Sequence, residues 1–502
     1  MAELGDPNLI PVIIGGGQFN DRPASGADGL DSLGLMIAAA REAGKDAGDG
    51  ILERTDWLGV VNQISFPQLK GTLVEGINKA LDIAPDFARE TPSPTGDSPI
   101  LLINEAANAI GAGEAQIALI VGAEALRTAG MRLADTATKS NVNRGPYPKR
   151  APINPEPRFQ YGLKTPTDVY PLFENAARTV FNQTFAEAQA ESGLIWSGMS
   201  KVAAQTPGAW IQKEKSAAEV VEASPQNRPI AFPYTKFQVA NAAVNQGAAV
   251  IVTSLAVARA AGIADDRIIY VGKGAAAHEQ EDPLQRPDFA SSTSMEASLT
   301  NALKLNEISV DEIDHLELYS CFPIVPKMAR RVIGVDADRT ITMFGGLTFG
   351  GGPIGNYMTH AAVCMVDALR KSGTNGLLFA NGGYATHNHT ILLTKNPQPA
   401  GTFPQDFDFQ AEADEARAAI PEMVSEYEGS AKVETYTVLF DREGKAKQGV
   451  VIARIDVSKR LIGIVPASDE VAIAKLLTGD ADLIGAAGHS KTLDGQNIWS
   501  FD

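Results

Sequence analysis

Among single residues, one cysteine and one pair of histidines are candidates for a chemical role. Cys321 follows an apolar strand pattern and could act as a nucleophile, but a small buried residue at a strand end is the favoured interpretation. His387 and His389 have the spacing that places both side chains on one face of a strand. No third ligand stands near them in the sequence, so we expect no metal site.

Two glycine-rich stretches resemble phosphate-binding loops only in part. Residues 272–277, GlyLysGlyAlaAlaAla, fit a dinucleotide-binding fingerprint, but polar residues and a proline follow where a helix should bind the pyrophosphate. The glycines between 345 and 352 lack the lysine and the serine or threonine of a P-loop. We therefore expect no tightly bound cofactor.

The composition excludes several classes of function. The 502 residues carry a formal net charge of −17, whereas nucleic acids and anionic membranes both select basic surfaces. Two cysteines provide neither a disulfide framework nor a cysteine-based metal spacing. The N-terminus has no signal pattern, and no uncharged apolar run reaches about 18 residues. We expect a cytoplasmic protein of two or three domains, because single cores stop growing near roughly 250 to 300 residues, with neither nucleic acid nor membrane as partner.

The strand and helix patterns alternate, and their order occurs twice. A short strand that leaves through a glycine turn at Gly15 opens the first half, and a strand over 267–271 that ends at Gly272 opens the second. The other predicted elements are helices at 28–43, 73–81, 101–110, 295–305 and 357–369, and strands at 57–61, 117–121, 315–319, 376–380 and 390–394. Near-continuous apolar strands predict a parallel sheet with helices on both faces.

Two further regions differ from this α/β pattern. Residues 131–227 are polar and rich in proline and arginine, which predicts an inserted loop region suited to substrate contacts, with helices at 170–180 and 198–204. After Thr394 a proline-rich linker leads into an acidic segment, 405–428, which we expect to form a solvated helix beside the last domain; binding of a partner is the alternative. Alternating runs at 435–440, 449–455, 461–465 and 496–501 predict a small all-β domain, most simply a five-stranded barrel.

Four local motifs in matching order on this duplicated chain resemble the thiolase superfamily over residues 8 to about 397. Residues 241–249, AsnAlaAlaValAsnGlnGlyAlaAla, are similar to the stretch that returns from the family's loop region to its core. Residues 105–124 are similar to the helix and strand that follow the nucleophile. The nearest branch is the sterol-carrier type with its thiolase-like relatives of type 1, in which an additional domain follows the core.

The resemblance implies an α/β chain with a duplicated thiolase fold, in layers αβαβα, an inserted loop domain and a small C-terminal all-β, OB-like domain. The corresponding boundaries are 1–265 for the N-terminal half with its insertion, 266–397 for the C-terminal half, 398–432 for the linker and acidic segment, and 433–502 for the barrel. The barrel resembles OB-fold domains that accompany thiolase-like proteins in acyl-CoA pathways.

The positions that would carry the family's catalysis hold other residues here. Gly96 corresponds to the nucleophilic cysteine, Gly352 to the histidine that activates it, and Asn381 to the acid/base cysteine. Tyr319 replaces a polar residue that helps to hold the thioester oxygen, and Ala243 replaces a serine that contacts pantetheine. Loss of one catalytic group costs orders of magnitude, and the others have little to assist once the nucleophile is gone. None of the catalytic set is retained, so acyl-cysteine chemistry should be absent.

The replaced positions still have their main-chain N–H groups. Gly96 and Gly383 still supply N–H groups at positions that the resemblance assigns to an oxyanion hole, and such donors can bind a thioester carbonyl. The leading hypothesis is a thiolase-like protein of the acyltransferase superfamily that binds CoA or an acyl-CoA in lipid metabolism, without classical acetyl-CoA acetyltransferase activity. One alternative is an acyl-CoA hydrolase or acyltransferase of different mechanism, using Cys321, Tyr319 or a histidine. Another is a non-catalytic scaffold that binds a protein partner through the C-terminal domain.

Three prolines bear on assembly. In the family, the strand before the nucleophile pairs across the dimer axis through main-chain N–H groups. Pro92, Pro94 and Pro99 remove donors from that segment, and proline is confined to the edges and bulges of sheets. We therefore expect a monomer, or a weakened dimer of the thiolase type.

Overall fold

The computed structural model describes residues 4–137, 157–480 and 483–502, so part of the predicted loop region, 138–156, lies outside the described residues. The N-terminal half and its insertion contain, in chain order, β1 (Pro11–Asn20), α1 (Ser32–Ala47), β2 (Trp57–Val61), α2 (Leu73–Leu81), β3 (Phe87–Glu90), α3 (Ser98–Gly111), β4 (Ile117–Ala125), α4 (Leu126–Ala137), α5 (Pro166–Val180), α6 (Phe185–Gln205), α7 (Ala217–Val221), β5 (Pro229–Ala231), β6 (Tyr234–Thr235), β7 (Asn245–Ser254) and α8 (Leu255–Ala260). The C-terminal half contains β8 (Ile269–His278), α9 (Thr293–Leu305), β9 (His315–Leu318), α10 (Ile324–Val332), α11 (Tyr357–Lys371), β10 (Asn375–Gly382) and β11 (His387–Thr394).

The predicted duplication is present in the order of the strands. Over the described residues, nine strands form one sheet in the order β3-β2-β4-β7-β1-β8-β11-β10-β9. The two halves mirror each other about β1 and β8, which pair only at Val12 with Tyr270 and Ile13 with Ile269. The sheet is mixed rather than parallel, because β1, β7, β8 and β11 run antiparallel to their neighbours. The apolar runs in the sequence indicate strands that are buried on both faces. Burial does not determine strand direction, so the prediction of a parallel sheet was wrong.

Helices α3 and α11 lie together between the two halves of the sheet. Each of them contacts strands from both halves, whereas α1 covers the outer face of the N-terminal half and α9 that of the C-terminal half. Their buried apolar residues form a large central core and a second core under α1 and α2. This arrangement is the predicted αβαβα layering.

The glycines at the predicted strand ends serve close packing instead of a turn. β1 continues through Gly17, where a Cβ atom would overlap the main chain of Ala39 and Ala43 in α1. β8 likewise continues through Gly274, where a Cβ atom would overlap the side chain of Asn104 in α3. Glycine therefore lets a helix approach each strand closely, and the predicted strand ends at Gly15 and Gly272 were wrong.

The C-terminal region contains the predicted barrel. Its elements are α12 (Gln410–Ala416), β12 (Glu422–Val424), β13 (Gly429–Phe440), β14 (Ala446–Arg454), β15 (Lys459–Pro466), α13 (Glu470–Thr478), β16 (Ala487–Leu493) and β17 (Gln496–Phe501). Within the described residues, five strands close in the order β13-β14-β15-β17-β16 and back to β13. The domain is not all-β, because α13 packs on the barrel, with Asp469 accepting a hydrogen bond from Ala472 N at its start.

The acidic segment divides between the core and the barrel, because its helix lies on the core whereas β12 at its end pairs with β15 of the barrel. Helix α12 packs on α9 and β8 of the thiolase-like core, where Ala413 is buried with Ala277 and Ala297. Arg417 after this helix forms an ion pair with buried Glu279 at 3.1 Å. One apolar face and one ion pair thus hold α12 and Arg417 on the core.

The inserted region is largely helical in its described part. The helices predicted at 170–180 and 198–204 are α5 and the C-terminal part of α6. Strand β5 extends from this region to the barrel, where Ala231 pairs with Leu439. No helix among the described residues is long and apolar enough to cross a membrane.

Candidate functional site

Gly96, the position that the resemblance assigns to the nucleophile, lies where the N-terminus of α3 meets the end of β10. A Cβ atom on Gly96 would overlap the main-chain oxygen of Asn381 and would lie 2.5 Å from the hydroxyl oxygen of Tyr319. Gly96 and Tyr319 are both buried. The space for a nucleophilic side chain is therefore filled by neighbouring groups.

Tyr319 is held in this position by its surroundings. Its ring packs edge-on against Tyr357 at 5.7 Å between centroids, and its N–H donates to Phe379 O at 3.1 Å. Burial raises the pKa of Tyr319 well above its usual value, and the charge of Asp97 adds to that shift. Tyr319 is thus a protonated phenol at neutral pH and not a base.

Asn381, at the position of the acid/base cysteine, belongs to a neutral hydrogen-bond network. Its Nδ2 donates to Asn388 Oδ1 at 2.8 Å, and Asn388 Nδ2 donates to Ser294 Oγ at 2.8 Å. All three side chains are buried. No member of this chain of amides and hydroxyl titrates near neutral pH, so it cannot replace a thiol that exchanges protons.

Gly352, at the position of the activating histidine, differs from Gly96. A Cβ atom here would lie 3.3 Å from the main-chain oxygens of Asn241 and Leu347, which is a tight but adjustable contact. Its own N–H donates to Asn241 O at 2.9 Å. Ala243, on the same returning stretch, is exposed.

Cys321 is a poor candidate for a relocated nucleophile. Burial of its thiol raises the pKa of Cys321 to about 12, although a hydrogen bond with Tyr170 acts in the opposite direction. Tyr170 belongs to α5 of the inserted region, and its ring stacks on Phe322 at 4.4 Å. Only the thiolate is nucleophilic, so this cysteine is unreactive at neutral pH.

The turn that follows β10 carries the second main-chain donor. Gly383 has φ +64°, a conformation that favours glycine, and Tyr170 fixes this turn by donating its hydroxyl hydrogen to Gly383 O at 3.2 Å. The same hydroxyl oxygen accepts from Ala385 N at 2.8 Å. Within the described part of the chain, the N–H groups of Gly96 and Gly383 have no protein acceptor.

In the structure His387 contacts His278 and not His389, the histidine that the strand spacing placed beside it. Residue His389 is buried, with Nε2 at 3.4 Å from Asn104 Oδ1. His387 instead lies with Nδ1 at 2.7 Å from Nδ1 of His278, which is opposite it on the neighbouring strand β8. Spacing along one strand could not reveal this pair, because its second member comes from 109 residues earlier in the chain. Among the described residues, no group of three His, Cys, Asp or Glu side chains is placed to hold a metal ion.

A separate cleft of about 820 Å³ lies between the end of β1 and α11. Gln18 lines it, donating from Nε2 to Cys364 Sγ at 3.4 Å and accepting at Oε1 from His360 Nδ1 at 2.7 Å. Burial raises the pKa of Cys364 to about 12 and lowers that of His360 to about 3. None of the positions assigned by resemblance lines this cleft.

Comparisons with known proteins bear on both parts of the chain. Residues 408–495 match the family model described as the additional C-terminal domain of thiolase-like protein type 1. The chain is similar to a monomeric SCP2-thiolase-like protein type 1 from Mycobacterium smegmatis, with 27% identity and a TM-score of 0.83 over 99% of this chain and 100% of that one. No curated protein sequence matches the chain.

Two thiolases share the fold at lower identity. The dimeric peroxisomal thiolase of Saccharomyces cerevisiae has 14% identity and a TM-score of 0.57, over 78% of this chain and 98% of its own. Human mitochondrial 3-ketoacyl-CoA thiolase in complex with CoA has 15% identity and a TM-score of 0.56, over 77% of this chain and 98% of its own. At these identities the likeness shows the fold alone.

The duplicated layers and the similarity to the SCP2-thiolase-like protein support a protein of the thiolase superfamily. Within it, the match over residues 408–495 and the similar structure support a thiolase-like protein of type 1 with the additional C-terminal domain. The fold and the five-stranded barrel that the resemblance implied are thereby confirmed.

Proposed function

We propose that this protein binds CoA or an acyl-CoA thioester in cytoplasmic lipid metabolism and has no acetyl-CoA acetyltransferase (thiolase) activity. The observation that carries the proposal is the packing at Gly96. A thiolase-type nucleophile needs a side chain there, and the main-chain oxygen of Asn381 and the hydroxyl of Tyr319 occupy its space. Acylation of the enzyme would require movement of the end of β10 as well as a new residue.

The argument for a thioester ligand comes from the main chain. The N–H groups of Gly96 and Gly383, which the resemblance assigns to an oxyanion hole, have no acceptor among the described residues. Two unpaired main-chain donors at the N-terminus of a helix and in a tight turn favour a carbonyl oxygen or an anion. Ala243 is exposed where the resemblance places the pantetheine chain, so a ligand can approach this position from solvent.

The alternative of an enzyme that uses Cys321 or Tyr319 has less support. Burial raises the pKa values of both groups, so neither the thiolate nor the phenolate forms at neutral pH. The other alternative is a non-catalytic scaffold that binds a protein partner through the barrel. The barrel is joined to the core by Arg460 of β15, which donates to the main-chain oxygens of Leu284 at 2.8 Å and Arg286 at 2.6 Å.

Calorimetry tests the binding half of the proposal. CoA, acetyl-CoA and decanoyl-CoA are titrated into the full chain and into Ala243→Trp, which places a large ring at the proposed pantetheine contact. Ala467→Trp, at an exposed barrel position, is the matched control. We expect binding to wild type and to the control, and at least about tenfold weaker binding to Ala243→Trp, which corresponds to about 1.4 kcal/mol.

A coupled thiolysis assay with acetoacetyl-CoA and CoA tests the other half. Ordinary thiolase turnover would contradict the loss of acyl-cysteine chemistry. If none of the CoA compounds gives a heat of binding in the calorimetric titrations, the scaffold alternative is favoured.

A further inference from the structure

Two histidines and a glutamate form a hydrogen-bonded chain at the end of the sheet. His278 Nδ1 and His387 Nδ1 are 2.7 Å apart, and the two rings meet edge to face with their centroids 4.8 Å apart. On the far side of its ring, His387 Nε2 lies 3.0 Å from Glu281 Oε1. Neither the sequence motifs nor the family resemblance assigns a role to His278.

This geometry selects one arrangement of protons. His387 donates its Nε2 hydrogen to the Glu281 carboxylate, so in the neutral ring Nδ1 carries a lone pair. In this tautomer the lone pair is placed to accept the Nδ1 hydrogen of His278, 2.7 Å away. The Nε2 atom of His278 is then unprotonated and can take a proton from a ligand or from water.

The chain of three groups lies beside the filled nucleophile position. Gly382 pairs with His387 on β11, and His387 pairs with His278 on β8, so the three residues stand in one row across the sheet. His387 Cδ2 would be 3.6 Å from a Cβ atom on Gly383. The free N–H of Gly383 and the two imidazoles thus share one end of the sheet.

A buried carboxyl group, that of Asp97, also lies at this end of the sheet. Asp97, the residue before α3, is only 6% exposed, and its Oδ1 has no hydrogen-bond partner among the described groups. This oxygen would be 2.7 Å from a Cβ atom on Gly382. An unpaired buried carboxyl oxygen is costly, which is typical of a functional site rather than of a core.

We propose that His278 is the general base of a thioester hydrolase activity at this site, and that His387 and Glu281 position it. This inference rests on the proposed binding of an acyl-CoA. Water loses a proton to His278 Nε2 while its oxygen forms a bond to the thioester carbon, and the carbonyl oxygen takes the negative charge beside Gly383 N–H. The carbon–sulfur bond then breaks, the carboxylic acid forms, and the CoA sulfur leaves with the proton from His278.

The other imidazole stabilises the protonated intermediate. When Nε2 of His278 gains a proton, its Nδ1 proton can pass to His387 Nδ1 across 2.7 Å. The positive charge then lies next to the Glu281 carboxylate. His387 acts through His278 in this step, so it is a positioning residue.

The charged groups around His278 set the pH range of the reaction. Burial and the neighbouring His387 lower the pKa of His278 below its usual value, against the opposing effects of Asp97, Asp408 and Glu281. The main-chain oxygen of His278 also accepts from Arg417 of the segment after α12. His278 is therefore unprotonated at neutral pH, and the rate should rise with pH and level off below neutrality.

Release of free CoA from decanoyl-CoA by the full chain, followed with a thiol reagent, tests the proposal. His278→Gln should lower kcat at least about 100-fold, since general bases contribute roughly 10²- to 10⁴-fold, while KM changes little. His387→Gln should retain part of the rate but move the acidic limb of the pH profile. His489→Gln, which removes an exposed histidine paired with Asp502 on the barrel, should leave the activity unchanged.

The possible outcomes separate this inference from the proposed function. Binding of decanoyl-CoA by calorimetry without hydrolysis above the buffer rate overturns the hydrolase and leaves the binding proposal standing. No binding and no hydrolysis overturn both. Equal loss in all three variants, or a His278→Gln rate equal to wild type, also overturns the role of His278; circular dichroism and the melting temperature confirm that each variant is folded.

Discussion

Restoring a cysteine at the vacant nucleophile position should damage the protein instead of reviving a thiolase. In Gly96→Cys, the new Cβ atom would lie 2.5 Å from the hydroxyl oxygen of Tyr319 and would overlap the main-chain oxygen of Asn381. Ordinary carbon–oxygen contacts are above about 3 Å, so at least one of these neighbours must move. A tyrosine side chain can turn aside, but a carbonyl oxygen moves only with its strand.

The expected cost follows from the two overlaps. Overpacking in a well-packed core costs about 1–3 kcal/mol and occasionally more. Because one of the two neighbours is main chain, we expect the upper end, about 3 kcal/mol. For a chain of 502 residues each kcal/mol lowers the melting temperature by roughly 1 °C, so a decrease of about 3 °C should be seen by differential scanning calorimetry.

Two further variants separate the causes. Gly198→Cys, at an exposed position of α6 where a Cβ atom would meet nothing within 4 Å, is the matched control and should change stability by less than about 0.5 kcal/mol. Gly96→Cys combined with Tyr319→Phe removes only the hydroxyl overlap and keeps the buried ring, so it should recover only part of the loss. The reasoning is refuted if Gly96→Cys melts with the wild type, or if mass spectrometry shows an acetyl group on the introduced thiol after incubation with acetyl-CoA.

Four other outcomes follow from the structure. Burial raises the pKa of Glu317 to about 7, so the folded state holds its proton more tightly than the unfolded state; stability should fall as pH rises from about 4.5 to 7, by at most about 3 kcal/mol, and Glu317→Gln should flatten this dependence in urea unfolding curves. Desolvation raises the pKa of half-buried Cys321 and of buried Cys364 to about 12, so iodoacetamide should label both slowly at neutral pH and quickly in urea, and fast labelling of native Cys321 would contradict its raised pKa. Arg460→Met removes a fully buried guanidinium that joins barrel to core and should cost about 3 kcal/mol or more, whereas Arg442→Met in an exposed turn should cost almost nothing in the same calorimetric scan. Light scattering at micromolar concentration should give one chain of 53.0 kDa, and twice that mass would count against the weakened dimer.

The proline argument for that monomer changes in one detail. Pro92 and Pro94 follow the edge strand β3, which ends at Glu90, but Pro99 lies in the first turn of α3. Proline is tolerated in a first helical turn, where its missing N–H would have no partner anyway. Two prolines rather than three therefore bear on pairing of this edge.

Local patterns determined much of the architecture. The strand at Trp57–Val61, the helix at Leu73–Leu81 and the last strand at Gln496–Phe501 have the predicted bounds. The order of strands and helices in two halves was enough to predict a duplicated α/β core, and the resemblance to the thiolase superfamily implied the αβαβα layers. Periodicity reports which side of an element is buried, and that information is carried by neighbouring residues.

Strand direction and the ends of glycine-rich strands needed the tertiary structure. The apolar runs of β7 and β8 are equally compatible with parallel and antiparallel neighbours. Gly17 and Gly274 look like turn residues in the sequence because their role depends on a helix from elsewhere in the chain. The position of α12 on the core was undetermined for the same reason, since its apolar partner Ala277 lies more than 130 residues earlier.

The replacement of the catalytic side chains is predicted from the sequence alone, because motif order assigns Gly96, Gly352 and Asn381 to the relevant positions by resemblance. What fills the space beside Gly96 was decided only by the fold, which brings Tyr319 from the end of β9 against the N-terminus of α3. The pairing of His278 with His387 likewise depends on the register between β8 and β11. A sequence states which groups are present, but distances between groups on different strands are set by packing of the whole chain, so only the tertiary structure shows which of them can react together.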